Sequence, residues 1–204
     1  MNVRLHRGDL PDLARYSGSV AIDTETMGLN PHRDRLCLVQ LSNGDGSADL
    51  VQLGKERADA PHLKALLANP DITKIFHYAR FDLAILYHTF GVMPQPVYCT
   101  KIASRLSRTY TDRHSLKDLV RELLNMELSK QQQSSDWGSN QLSEAQLAYA
   151  AADVLHLHSL RERLDRMLAR EGRGELAQAC FDFLPTRAML DLQGFELEDI
   201  FAHS

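Results

Sequence analysis

SVAIDTET, residues 19–26, is a strand pattern in which a short apolar run, residues 20–22, is followed by the acids Asp23 and Glu25. Residues two apart in a β-strand point to the same face of a sheet, so the carboxylates of Asp23 and Glu25 are predicted to lie side by side. Burying carboxylates together is unfavourable unless cations neutralise them. An Asp-x-Glu pair is common, however, and two solvent-exposed acids at a strand end would give the same pattern.

Two stretches after these acids predict neighbouring strands. Residues 35–42 (RLCLVQLS) and 48–53 (ADLVQL) alternate apolar and polar side chains, and the turn-forming sequence NGDG separates them. Together with the first strand they predict a three-stranded meander. Residues 72–78 predict another strand, and residues 97–100 predict a short one.

Helix signals follow these strands. Residues 61–69 begin with a proline, and residues 79–90 are closed by Gly91, as helix ends often are. Ser115 is positioned to cap a helix that continues to about Leu124. Three strands followed by alternating helices and strands predict an α/β fold with a mixed central sheet flanked by helices.

A polar segment, residues 129–140, predicts a loop before a long helix. Ser143 and Gln146 form an S-x-x-Q capping box at the start of that helix, and the glycines at 172 and 174 predict its end. Tyr149 and Asp153 lie four residues apart on it and therefore share a face, at the flank of the apolar stripe. A surface tyrosine beside a surface acid would have the same spacing.

Asp82 lies where the strand at 72–78 gives way to a helix. The helix dipole favours a carboxylate in a first turn, so this position alone is weak evidence for function. Together with Asp82, however, the acids of the first strand and Asp153 make four carboxylates that converge from three segments. Such a set suits a pair of hard divalent cations, and pairs of this kind serve displacement reactions at phosphorus.

This combination of acids resembles the DEDD family of 3′→5′ exonucleases, in its DEDDy branch. The three family motifs match, in order, Asp23-x-Glu25, Asp82, and Tyr149 with Asp153. The sister branch has a histidine five residues before the last aspartate, where this chain has Ala148. DTETMGL at 23–29 and SDW at 135–137 are similar to the ribonuclease D group, and the resemblance covers about residues 18–170.

The resemblance implies an RNase H-like fold and two divalent cations, Mg²⁺ or Mn²⁺, held by the four acids. It also implies that Tyr149 orients the attacking water or helps to deprotonate it, and that the products are nucleoside 5′-monophosphates. In this family an apolar side chain just after the first motif wedges between the terminal bases. The candidate substrate-binding residues are Met27, Gly28, Leu29, His77 and Trp137.

For three of these candidates the sequence leaves a structural role open. Leu29 is the candidate wedge but would also suit the core. His77 could contact the substrate or only brace its strand, since Tyr78 stands where many family members have an asparagine. Trp137 could contact a nucleotide or pack internally.

The net charge indicates which kind of nucleic acid the protein binds, and the cysteines indicate its cellular compartment. The chain has 23 Lys plus Arg and 27 Asp plus Glu, a net charge of −4. A protein that grips a long polyanion usually carries a basic face, so this balance favours a short nucleic acid. The three cysteines are scattered without a CxxC pair, which argues for a reducing cytoplasm and against a disulfide framework or a zinc site. The N-terminus shows no signal-peptide pattern, and no apolar run is long enough to span a bilayer.

Residues 1–172 are predicted to form the exonuclease catalytic domain, and residues 173–204 a helical extension. The extension is rich in apolar residues, which need either the domain's own core or a subunit interface, and we favour an interface. Few residues follow the long helix, too few for the additional helical domain of full-length ribonuclease D enzymes. The chain is most similar to the compact, stand-alone nano-RNase C group, and that resemblance implies a homo-oligomer.

The predicted function is therefore 3′→5′ degradation of short single-stranded oligoribonucleotides, down to and including dinucleotides. An exonuclease that acts on longer RNA or on single-stranded DNA is the alternative. A catalytically inactive nucleic-acid-binding scaffold is disfavoured, because such proteins typically lack one or more of the metal acids and this chain has all four.

Overall fold

The computed structural model describes residues 2–55, 59–128, 132 and 135–203. The strands within these residues are β1 (Asn2–Arg7), β2 (Ser19–Thr26), β3 (Leu36–Ser42), β4 (Ser47–Gln52), β5 (Thr73–Phe76) and β6 (Val97–Cys99). The helices are α1 (Pro61–Ala68), α2 (Ala79–Phe90), α3 (Thr100–Ser107), α4 (Leu116–Leu124), α5 (Glu144–Leu155), α6 (Leu157–Arg170) and α7 (Gly174–Leu192).

The strands form one mixed sheet in the order β1-β4-β3-β2-β5-β6. The middle strands β2, β3 and β4 are antiparallel neighbours, which is the meander that the alternating pattern predicts. On one side β5 and β6 continue the sheet in parallel with β2, and on the other side β1 is parallel to β4. The predicted α/β fold with a mixed central sheet is therefore confirmed.

Three predicted helix ends are confirmed by their capping geometry. Gly91 follows α2 in the left-handed region, with a φ of 69°, where a glycine has no Cβ to clash. The Ser115 side chain accepts a hydrogen bond from the backbone N–H of Asp118 at the start of α4. Ser143 and Gln146 form a complete capping box at the start of α5.

The structure also contains features that the sequence pattern does not predict. Strand β1 is a partly exposed edge strand whose apolar residues alternate with charged ones, and α3 follows β6 without a turn signal. The long helix expected after Ser143 is wrong as a single element, because His156 separates α5 from α6. The two helices have different packing partners: α5 packs on β2, β3 and β4, whereas α6 packs on α3 and α4. Of the predicted loop at 129–140, residues 132 and 135–140 are described, and they contain no helix or strand.

Apolar side chains pack on both faces of the sheet. Successive residues of β3, such as Leu38 and Val39, belong to different clusters, so the two clusters lie on opposite faces. The main core includes side chains of α1, α2, α6 and α7. The smaller group, here called the Trp137 cluster, consists of Cys37, Leu38, Leu50, Trp137 and Ala150.

Helix α7 covers part of the main core. Phe181 and Leu184 are buried, and the Phe181 ring lies 4.7 Å from that of Tyr98, measured between centroids. Beyond α7 the chain exposes large apolar side chains, with Leu197 96% and Phe201 75% exposed. Within the described ranges, no helix is both long and apolar enough to cross a membrane.

Candidate active site

The two acids of β2 lie at the end of that strand, on the same face. Asp23 lies opposite Gln40 of β3, and the pairing of the two strands slips directly after Glu25. Gln40 Nε2 donates a hydrogen bond of 3.4 Å to Asp23 Oδ2. A bulge of this kind re-aims the side chains beside it, which here are those of the Asp-x-Glu pair.

Helix α5 brings a third acid to this pair. One carboxylate oxygen from each of Asp23, Glu25 and Asp153 lies within 4.8 Å of the other two. All three side chains are half-buried, so the oxygens face a partly enclosed space. Three carboxylate oxygens at this separation are a donor set that suits a hard divalent cation.

Asp82 is the fourth acid, and it is buried in the first turn of α2. Its Oδ1 accepts a hydrogen bond of 2.6 Å from the hydroxyl of Thr24, the residue between the two acids of β2. Burial raises the pKa of Asp82, and the charge of Asp23 contributes to the same rise. The structure thus brings the four sequence-predicted acids together from β2, α2 and α5.

Desolvation controls the electrostatics of these acids. It raises the pKa of Asp23 to about 7. Desolvation together with the charge of Asp23 raises the pKa of Asp153 to about 8, and desolvation with the charges of the other acids raises that of Glu25 to about 10. Within the described part of the chain, no lysine or arginine forms an ion pair with any of the four. The cluster therefore lacks the positive charge that four ionised carboxylates need.

Tyr149 lies one helical turn before Asp153 and is half-buried. Burial and the charges of Asp153 and Glu25 raise the pKa of its phenol above the ordinary value, so the hydroxyl is protonated at neutral pH. The Trp137 ring lies behind it, with 6.1 Å between the ring centroids and an angle of 36° between the planes. Trp137 is only 3% exposed, so the internal-packing alternative describes this residue, and its ring presents almost no surface to a nucleotide.

The segment after the first motif is held at the surface. Leu29 is 83% exposed and Met27 is 52% exposed, so neither side chain belongs to the core. A Cβ at Gly28 would collide with the carboxylate of Asp34. That carboxylate accepts a hydrogen bond of 3.0 Å from the backbone N–H of Asn30 and so closes the loop tightly over the glycine.

His77 is braced from within the fold. Its Nδ1 lies 2.9 Å from the Thr100 hydroxyl, which in turn donates to the backbone carbonyl of Phe76. Burial, together with the charge of Lys101, lowers the pKa of His77 to about 3, so the imidazole is neutral. The strand-bracing role that the sequence left open for His77 is thus seen directly.

Three neighbours of the site were not singled out by sequence reasoning. Thr24 and Gln40 contact the acids, but a threonine or glutamine inside a strand carries no functional signal of its own. Lys101 lies over the ring of Tyr78, with Nζ 4.5 Å from the ring centroid, next to the start of α2. The sequence signal for this contact was Tyr78 itself, which stands where many family members have an asparagine. In the structure Tyr78 is 47% exposed and has a left-handed φ of 69°.

Comparison with known proteins agrees with the class that the fold and the acids define. Residues 10–169 match the family described as 3′-5′ exonuclease. Ribonuclease D of Acidiphilium cryptum is 38% identical over 154 residues, which are 76% of this chain and 39% of that protein. The chain therefore belongs to the 3′-5′ exonuclease family, in its ribonuclease D group, although it spans less than half of the length of the curated ribonuclease D relatives that it matches.

Three solved structures show which members of the family this chain is similar to. Brucella melitensis NrnC with bound Mg²⁺ is 60% identical, superposes with a TM-score of 0.96, and is matched over 100% of both chains. The same protein bound to pGG gives a TM-score of 0.97. Escherichia coli RNase D is 27% identical with a TM-score of 0.80, over 92% of this chain and 51% of that one. The RNase H-like fold that the sequence resemblance implies is confirmed by these matches.

Proposed function

We propose that this protein is a 3′→5′ exoribonuclease that degrades short single-stranded oligoribonucleotides, down to and including dinucleotides, and releases nucleoside 5′-monophosphates. The observation that carries the proposal is the set of carboxylate oxygens from Asp23, Glu25 and Asp153, all within 4.8 Å of one another and beside Tyr149. Similarity to NrnC over the full length supports a short substrate, because that protein was solved with pGG bound.

Two divalent cations, Mg²⁺ or Mn²⁺, are the proposed cofactors. The donor set fits them, since carboxylate oxygens are their preferred ligands and the desolvated acids lack a cationic partner among the described residues. Asp23, Glu25, Asp82 and Asp153 would hold the ions. When bound, such ions lower the pKa of water and stabilise charge on the attacking and leaving oxygens. The Mg²⁺ in NrnC supports this assignment.

Tyr149 is proposed to orient the attacking water. A phenol whose pKa is raised stays protonated, so it can donate one hydrogen bond and accept another without carrying charge. The charges of Asp153 and Glu25 both act on the phenol, and this closeness to two candidate metal ligands supports the role. This role requires positioning rather than strong basicity, which agrees with the raised pKa.

The exposed apolar residues after the first motif are the proposed contacts to the bases. Leu29 would act as the wedge and Met27 as a second apolar surface, while Gly28 keeps the loop compact beneath them. Stacking on apolar side chains needs no sequence readout, which suits an enzyme that removes any terminal nucleotide. His77, held neutral, would contribute a hydrogen bond rather than a charge.

The remaining proposals concern assembly and compartment. Residues 1–172 would form the catalytic domain, and residues 173–204 would complete its core through α7 and form a homo-oligomer through the exposed side chains beyond it, such as Leu197 and Phe201. The three cysteines are free thiols, which supports a reducing cytoplasm. Truncation after Gly172 should give an insoluble chain or a monomer, and a soluble oligomer of unchanged subunit number by light scattering would contradict the interface.

The test is a substrate-length competition. The protein would be incubated with Mn²⁺ and equimolar 5′-phosphorylated RNAs of two, seven and about twenty nucleotides, with the products resolved over time and Asp23→Ala as the control. Rapid loss of the dinucleotide, with mononucleotide product that is absent in the control, is the expected result. A protein that shortens the long RNA stepwise and stalls at two to four nucleotides would instead be a general exonuclease, the second candidate. A parallel series of single-stranded DNAs separates RNA from DNA preference.

A further inference from the structure

We infer that the turn formed by residues 136–139, here called the Trp137 turn, positions two parts of the active site at once. Its tryptophan sets the position of Tyr149, and its glycine sets the position of Met27. The inference rests on the proposed function, in which Tyr149 orients the water and Met27 contacts the substrate. It assigns Trp137 and Gly138 as positioning residues, because neither is placed to touch the reacting atoms.

The Trp137 ring is the largest side chain of the cluster that bears its name. It is 3% exposed and packs with Leu38 and Leu50 of the sheet and with Ala150 of α5. Tyr149 rests on this cluster from the solvent side, with its ring tilted 36° to the indole. A broad, rigid surface behind a half-buried tyrosine limits how its ring can tilt and where its hydroxyl lies.

Gly138 contacts a second residue of the site, Met27. A Cβ at this position would collide with Sδ of Met27, so the methionine side chain lies directly against the glycine backbone. Any larger residue would displace Met27, which is half-exposed and has room to move outward. The absence of a side chain at 138 therefore fixes the surface that Met27 presents to a base.

The Trp137 turn is itself tied to three elements. Gln146 Nε2 donates to the Asp136 carbonyl at 3.2 Å, and the same residue belongs to the capping box of α5. Gln52 Nε2, at the end of β4, donates to the Ser139 carbonyl at 2.9 Å. Arg35 Nη2, just before β3, donates to the Gly138 carbonyl at 3.3 Å. Because the turn is held from both the sheet and α5, its position is fixed, and so are the positions of the residues that pack on it.

The inference does not depend on the indole N–H of Trp137. Trp137 Nε1 is buried, and within the described residues it has no hydrogen-bond partner. The flat ring is therefore the feature in use, and phenylalanine should preserve it in part. This separates the role from a hydrogen-bonding one, in which phenylalanine and alanine would be equally harmful.

The test for Trp137 is a double-mutant cycle with Tyr149, measured on a 5′-phosphorylated diribonucleotide with saturating Mn²⁺. Trp137→Ala should lower kcat by about 10- to 100-fold with little change in KM, the effect of a misplaced catalytic group. In the Tyr149→Phe background the same change should lower kcat less than about twofold, because the group that Trp137 positions is gone. Trp137→Phe should lower kcat least.

Failure of this inference and failure of the proposed function give different results. An equal loss of kcat from Trp137→Ala in both backgrounds would exclude positioning through Tyr149. An unchanged rate in Tyr149→Phe alone would instead remove the tyrosine from the proposed function. If the alanine variant does not fold, Trp137→Leu keeps an apolar side chain without the flat ring, and a wild-type kcat for it would also overturn the inference.

A matched control separates positioning from loss of stability. Phe181 has the same 3% exposure as Trp137 but lies in the main core on α7. Phe181→Ala should lower the melting temperature while leaving kcat unchanged below that temperature. A loss of kcat equal to that of Trp137→Ala would attribute both effects to general destabilisation.

The glycine is tested by the same design. Gly138→Ala should raise KM by about three- to tenfold with kcat preserved, because Met27 is displaced from the substrate, not from the chemistry. In a Met27→Ala background the added methyl should have no further effect, since the side chain that it displaces is absent. An effect of equal size in both backgrounds would overturn the coupling to Met27.

Discussion

The Asp49 group, which is Asp49 with Arg4, Arg15 and Tyr16, and the four acids of the candidate active site have opposite electrostatics. Asp49 of β4 is 3% exposed and accepts hydrogen bonds from Arg4, Arg15 and Tyr16 at 2.7, 3.1 and 2.6 Å. Burial alone would raise its pKa, but the hydrogen bonds from Tyr16, His6 and Arg4 more than offset this and lower it. The four acids of the active site are desolvated as well, and their pKa values are all raised.

The difference lies in where the compensating charge comes from. The chain supplies Asp49 with two arginines of its own, so that acid is satisfied in the folded protein and serves stability. Around the active-site acids the described residues supply hydrogen-bond donors, from Thr24 and Gln40, but no ion pair. A site that leaves its charge uncompensated gives up stability in the free protein and gains affinity for a cation from solution.

The largest expected effect comes from removing one active-site acid. Asp153→Asn should lower kcat by about 10³-fold or more, because a bound metal contributes several kcal/mol to such reactions. The same change should raise the melting temperature of the protein in EDTA, since it removes like-charge repulsion. Single-turnover hydrolysis and thermal unfolding measure the two effects, and near wild-type hydrolysis would contradict the metal assignment.

Each group of acids has a neighbouring tyrosine, Tyr149 in the candidate active site and Tyr16 beside Asp49, so the same substitution can be compared in both. Tyr149→Phe should slow turnover by about 10²- to 10⁴-fold, the usual range for a positioned proton-transfer group. Its melting temperature should change little, since the phenol is only half-buried.

Tyr16→Phe is the control for that change, with the opposite outcome. The Tyr16 hydroxyl is bonded to Asp49 and buried, so its loss should cost about 2 kcal/mol of unfolding free energy and leave kcat unchanged. An equal loss of kcat in Tyr149→Phe and Tyr16→Phe would contradict the assignment of a structural role to the Asp49 group and a functional role to the other acids.

The stability of the Asp49 group should depend on pH with a defined sign. Because folding lowers the pKa of Asp49, its contribution is present above the unfolded value of about 3.9 and is lost as the pH falls through the folded value. Asp49→Asn should therefore destabilise the protein by about 3 kcal/mol at neutral pH. That deficit should shrink as the pH falls below about 4. Urea unfolding of both proteins across this range measures it, and a deficit independent of pH would contradict the ionic role.

A last prediction concerns stabilisation of the folded protein by metal. Mn²⁺ at about 100 times its Kd should add about 2.7 kcal/mol, or about 5–10 °C in melting temperature for a chain of this size. Asp49→Asn should keep the full increment, whereas Asp23→Asn should lose it. An increment that persists in Asp23→Asn would place the stabilising ion elsewhere.

Much of the site could be predicted from the chain, because its parts follow local rules. Asp23 and Glu25 share a face since a strand repeats every two residues, and Tyr149 lies next to Asp153 since a helix repeats every 3.6. The Asp49 group could not be predicted in this way. Its acid and Arg4 are 45 residues apart in sequence, and they meet only because β1 pairs with β4.

Trp137 shows the same limit at a single residue. As part of a motif beside a polar loop it was a candidate nucleotide contact, but the structure buries its ring behind Tyr149. No local pattern separates a tryptophan that faces solvent from one that fills a gap under a neighbouring helix. The break at His156 is a similar case, because it carries no glycine or proline and reflects the different packing partners of α5 and α6.

The sequence by itself determined the caps at Gly91, Ser115 and Ser143, which depend on residues a few positions apart. It also determined the α/β class through the order of its elements, and the four acids with their tyrosine as candidates through a family resemblance. Only the tertiary structure decided which acids have cations of their own, that Leu29 is exposed, and that the Thr24 hydroxyl reaches Asp82, 58 residues away. The physical reason is that strand order and helix packing bring distant residues together. Desolvation and charge, which separate the ion-paired Asp49 from the four candidate metal ligands, depend on those distant neighbours.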